Sequence, residues 1–140
     1  MKNDFDLAPV IKAGSGKFIA RVAFFSLIFV VAAAVAGQGS MAVGLFRGIV
    51  LGVLDLIILF AGMKKSLPYA DTPEKGVKIV RRHRYYSLII IASVIVLMLR
   101  MKFPVFDVFL GLLLIHIFFI GNLLFVSYRL NNERNVKKGE

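Results

Sequence analysis

An all-α integral membrane protein is the predicted fold: four transmembrane helices as two hairpins, with both termini in the cytoplasm. Three observations predict it. The chain has 140 residues, of which 59% are hydrophobic and 19% charged, with a mean hydropathy of +0.81. Water-soluble chains are about 45–50% apolar and about 25% charged. The apolar residues gather in four long runs. Lys and Arg outnumber Asp and Glu by 18 to 8 and lie mostly on one side of those runs. A soluble globule would lack polar cover for its core, and disordered chains carry little apolar content. Cysteine is absent, which excludes disulfides, thiolate metal sites and cysteine nucleophiles. The length suits one domain.

The first element is a short N-terminal segment, residues 1–17. Gly14, Ser15, Gly16 and Lys17 superficially suggest a phosphate loop, but the first glycine of GxxxxGK[ST] and a preceding strand are missing. They read as a flexible approach to the first span, Phe18–Ala36. That run is apolar all round and does not alternate, as a lipid-exposed helix should be and a barrel strand should not. A helix also satisfies its own backbone hydrogen bonds in hydrocarbon. Ala34-Val35-Ala36 resembles a signal cleavage site. The run exceeds the usual h-region of about 7–15 residues, and Asp4 and Asp6 precede it, so an uncleaved span is expected.

Gly37–Ser40 is an uncharged turn into the second span, residues 41–63. This span carries the most information. Gly44, Gly48 and Gly52 recur every fourth residue, and at about 100° per residue they form one stripe, with Asp55 within about 20° of Gly44. Small residues at this spacing let a second helix approach closely. That helix could belong to the same chain or to another subunit. Arg47 projects off the stripe. It either snorkels outward or pairs with an acid at similar depth, such as Asp107.

The loop 64–84 is basic. Thr72, Pro73 and Glu74 form a helix start, through a cap, a first-turn proline and an acid at the positive end of the dipole. One helix is expected from Pro73 into the third span. Lys75, Lys78, Arg81, Arg82 and Arg84 then form a basic cytoplasmic surface, as a solvated stem or as a docking face for an acidic partner. The third apolar run, Tyr85–Leu99, is short by itself. With Arg84 and Arg100 snorkelling to the headgroups it becomes a span of about 85–101. Arg100–Pro104 leads into the fourth span, residues 105–128, and a tail, 129–140. Asp107, Gly111 and Asn122 share one face of span four, whereas His116 points about 140° away from Gly111. His116 reads as a hydrogen-bonded packing residue or as a proton relay.

With four spans, the N-terminal segment, the loop 64–84 and the tail share a side. Fifteen Lys and Arg fall there and two on the opposite side, which places that side in the cytoplasm. Topology and anionic headgroups account for the basic excess, so membrane lipids and not nucleic acid are the expected polyanion. No HExxH, GxSxG or phosphate-cradling motif is present, so no enzyme, cofactor or metal site is expected.

Taken together, three segments have a family likeness. They are Gly44-Leu-Phe-Arg-Gly48-Ile-Val-Leu-Gly52-Val-Leu-Asp55, the basic stretch Val80-Arg81-Arg82-His83-Arg84-Tyr85-Tyr86, and Phe109-Leu110-Gly111-Leu112-Leu113-Leu114-Ile115-His116. Their order resembles the ATP synthase subunit I family, the I chain encoded beside the bacterial F-type ATP synthase subunits. The likeness spans roughly residues 18–128. The family often has Asn near Asp55 and Lys near His116. The resemblance implies a non-catalytic inner-membrane protein that assists assembly of the rotor ring of c subunits. Gly44, Gly48 and Gly52 would then hold a rotor hairpin, with Asp55 as a polar anchor. The resemblance also admits a magnesium-transport role, in which an oligomer gathers rings of Asp55. A proton-coupled exporter is less suited, because Phe18–Ala36 holds no acid.

Overall fold

The computed structural model describes residues 15–69 and 71–138. Most of the N-terminal segment, with Lys2 and Lys12, therefore lies outside the described residues. The described chain is an all-α bundle: α1 (Ser15–Val35), α2 (Gly39–Ser66), α3 (Pro73–Arg100) and α4 (Val105–Lys138), with a 3-10 turn at Leu67–Tyr69. All four helices contain a stretch long and apolar enough to cross a membrane.

The boundaries follow local chemistry. α1 ends in a Schellman motif. Gly37 takes the left-handed conformation (φ 78°), its N–H donates to the Ala34 carbonyl, and the Gln38 N–H donates to that of Ala33. α3 ends in the same way at Lys102 (φ 57°), with Phe103 N–H donating to the Met98 carbonyl. A Cβ makes the left-handed region unfavourable, so the motif is held here at some strain. α3 starts at Pro73, as the sequence predicts, and spans 28 residues, about 42 Å at 1.5 Å per residue. The apparent shortness of the third run is thereby resolved. Thr72 occupies the cap position, but its side chain makes no capping hydrogen bond. α4 runs on through Lys138, so the expected tail continues the fourth span as helix.

α2 is the hub. It buries residues on several faces, among them Ala42, Leu45, Gly48, Ile49, Gly52, Asp55, Leu56 and Phe60, and it packs against each of the other helices. α1 covers one side. Phe18, Ile19 and Val22 meet Ile49, Leu56, Phe60 and Ile115 in the core. Phe18, Phe60 and Phe119 form a cluster of edge-on rings, with centroids 5.6–6.0 Å apart. Ser26, buried in α1, donates to the Val22 carbonyl at 2.9 Å, so its hydroxyl is satisfied within its own helix.

The arrangement as two hairpins needs correction in its second half. α3 and α4 are joined by a short loop but barely touch. Both lie against α2 instead, because its small residues admit a helix closely at two places. Contacts between residues 44 and 107 and between 52 and 115 show that α4 runs parallel to α2. α3 runs antiparallel to α2, bringing His83 against Gly62 and Arg84 beside Asp55.

Candidate functional site

The glycine stripe of α2 is filled by α4 of the same chain. A Cβ at Gly44 would collide with Asp107 Cβ, and one at Gly52 with the Ile115 side chain. A Cβ at Gly48 would strike the Val108 carbonyl oxygen and lie 2.9 Å from Gly111 Cα. In return, a Cβ on Gly111 would strike the Leu45 carbonyl oxygen and lie 3.1 Å from Gly48 Cα. Gly48 and Gly111 thus mark the crossing, where backbone meets backbone. Gly62, in line with the stripe, meets a different helix through the His83 ring of α3. Of the two partners left open by the sequence, the one resting on these glycines is internal.

Asp55 does not rest against a glycine neighbour. It stands where α2, α3 and α4 converge, with its side chain 2% exposed. From α3, Arg84 Nη1 donates to Oδ1 at 3.3 Å and to Oδ2 at 3.1 Å, and the Ser87 hydroxyl donates to Oδ1. From α4, His116 Nε2 lies 2.7 Å from Oδ2, and its Nδ1–H donates to the Leu112 carbonyl at 2.7 Å. Arg84 is 44% exposed and His116 28% exposed, so the cluster opens outward where α3 and α4 stand apart. Arg84 and Ser87 point donors at the carboxylate, and His116 Nε2 faces it. In hydrocarbon such a carboxylate is tolerable because its charge is paired and its lone pairs are used.

The other intramembrane polar residues do not join the cluster. Arg47 and Asp107 form no ion pair. The Arg47 guanidinium lies 4.4 Å from the Phe103 ring centroid, a cation–π contact with the α3–α4 loop. Asp107 is half-buried, with its Cβ at the Gly44 crossing. Asn122 is half-buried further along α4. Lys75, Lys78, Arg81 and Arg82 are exposed on the first turns of α3, as expected of a basic surface. Arg84 departs from that group, since its guanidinium turns inward to Asp55.

Sequence reasoning singled out Asp55 and His116 separately and put them on unrelated faces. It assigned Arg84 to the headgroups and passed over Ser87. A signal for the α3 side was present: Arg84 and Ser87 are three residues apart, hence on one helix face. They also begin the third span at about the depth of Asp55. No such signal pointed to His116, because its angular offset from Gly111 is what carries it around the α2–α4 seam toward α3.

No family model, curated protein or solved structure matches this chain.

Proposed function

We propose that this chain is a non-catalytic accessory protein of the bacterial F-type ATP synthase that assists assembly of the rotor ring of c subunits. It would sit in the inner membrane with both termini in the cytoplasm, as the basic asymmetry of its loops implies. The family reading rests on the resemblance over residues 18–128. One structural observation supports a helix-holding role, on a surface other than the glycine ridge. α3 packs chiefly on α2 and buries only Ser87 and Ile91, leaving Leu88, Ile89, Val96, Leu97 and Leu99 on an open apolar face. A rotor hairpin therefore has the α3 face to lie on, in place of the glycine ridge that α4 already covers.

The test is site-specific photocrosslinking with co-expressed c subunits. A photoreactive residue at Ile89 or Val96 should capture c subunits, and one at Phe29 or Val31 of α1 should capture far less. Equal yields of assembled ring with and without this protein would remove the assembly role. Lipid adducts alone from α3 would remove the docking face.

A magnesium carrier is the less supported reading. Magnesium needs oxygen ligands with free lone pairs. Both oxygens of Asp55 are instead occupied by donors, one of them a guanidinium.

A further inference from the structure

We propose that Asp55 and His116 form a proton-binding site inside the membrane, holding one exchangeable proton between the Asp55 carboxylate and His116 Nε2. Hydrogen-bond accounting carries the inference. A carbonyl oxygen has no hydrogen to give, so the 2.7 Å contact with Leu112 fixes a hydrogen on His116 Nδ1. A neutral imidazole then has a bare lone pair at Nε2. That lone pair would face the carboxylate oxygen at 2.7 Å, where two acceptors repel. The contact is attractive only with a second proton in it.

The remaining contacts locate that proton. Asp55 Oδ1 receives Arg84 and Ser87, and Oδ2 receives Arg84 while facing His116 Nε2 at 2.7 Å. Three donated hydrogen bonds, two of them from a guanidinium, stabilise the ionised carboxylate, which leaves the proton on Nε2. The loaded state is thus imidazolium against carboxylate, with the shared proton along the Nε2–Oδ2 line. Loading takes one proton from water onto neutral His116, and unloading returns it. No covalent bond other than N–H changes, and no electrons are transferred. His116 and Arg84 are partly exposed on one side of the cluster, and the route for exchange with water runs from there toward the basic headgroup end of α3, where Arg81 and Arg82 lie close to Arg84 in sequence.

The charged groups acting on His116 are Asp55 from α2 and Arg84 from α3. His83, next to Arg84 in sequence, is turned away to Gly62, and its Nδ1–H donates to the Ile79 carbonyl at 2.9 Å. On unloading, Arg84 and Ser87 still hold Asp55 to α3, and only the tie to α4 opens. The proton therefore fastens α4 to Asp55, and the fastening weakens as pH rises. The site stands independently of the ATP synthase reading.

Magic-angle-spinning NMR on the full chain, with labelled histidine and in phosphatidylcholine–phosphatidylglycerol bilayers, tests this from about pH 5 to about pH 8. One ring signal, missing in His116→Gln, should show hydrogens on both nitrogens at the acidic end. It should convert to the form with hydrogen on Nδ1 alone as pH rises. In Asp55→Asn that transition should move to lower pH. A carboxylic acid C=O band in the infrared that is lost in Asp55→Asn would put the proton on Asp55 instead and overturn the imidazolium–carboxylate assignment. A wild-type His116 ring lacking hydrogen on Nδ1 would overturn the proposal. So would a ring that stays singly protonated throughout. Because the ring form is read in the wild type, the test holds even if Asp55→Asn fails to fold.

Discussion

α2 makes two interfaces of opposite character. Its seam with α4 is side-chain-poor: Gly44, Gly48 and Gly52 let Val108, Gly111 and Ile115 approach until backbones touch. Its junction with α3 is side-chain-rich at the same depth: Arg84 and Ser87 reach across to a buried carboxylate. Between helices in lipid there is no hydrophobic drive, so close packing and hydrogen bonds must supply the association. Each interface uses mainly one of the two. A packed seam has no slack, because any added atom must displace backbone. A polar junction has slack, since Arg84 is half exposed and can swing toward the headgroups when its partner is removed.

The largest effect should come from breaking the seam. Gly48→Leu inserts a side chain into the Val108 carbonyl and should destabilise the bundle by about 3 kcal/mol or more. Equilibrium unfolding in detergent would measure it, and a variant as stable as wild type would show that the seam can open. Such a variant would read folding, so it does not test partner docking. Next in size is Asp55→Ala, which strands His116 and Arg84. A loss of about 2–3 kcal/mol is expected, at or below the roughly 3–5 kcal/mol that breaking a fully buried pair costs, because Arg84 can escape. Adding Arg84→Ala to it should then lose little more, and a fully additive double variant would argue against a shared network. Ser87→Ala removes a single hydroxyl donor and should lower stability by about 1 kcal/mol, with the fold otherwise intact. Smallest is Phe103→Leu, outside both interfaces. It withdraws the ring beneath Arg47 and should lower stability by about 0.5–1 kcal/mol, a difference erased when Arg47 is already Ala.

The two interfaces also differ in how visible they are in the amino-acid order. A repeat of glycine every fourth residue announces a close approach, and Gly44, Gly48 and Gly52 are correctly read as facing a helix. The identity of that helix is not in the repeat. The junction at Asp55 joins residues 29, 32 and 61 positions apart in sequence. Helical wheels describe each span about its own axis, so they place His116 off the Gly111 face without revealing that a third helix arrives on that flank. Of the two alternatives for Arg47, the pair with Asp107 does not form, for a related reason. Shared depth does not imply shared azimuth, and the loop ring of Phe103 was nearer.

The order of residues alone determined the four apolar helices, the helix start at Pro73, the one-sided basic charge and the small-residue ridge on α2. These are local properties, set by hydropathy, backbone sterics and spacing within one segment. Only the tertiary structure decided that α4, running parallel, takes the ridge, that α3 leans on α2 and stands off α4, and that Asp55 gathers Arg84, Ser87 and His116. Those outcomes depend on how rigid helices share the surface of a common neighbour, which is a competition between segments that no single segment encodes.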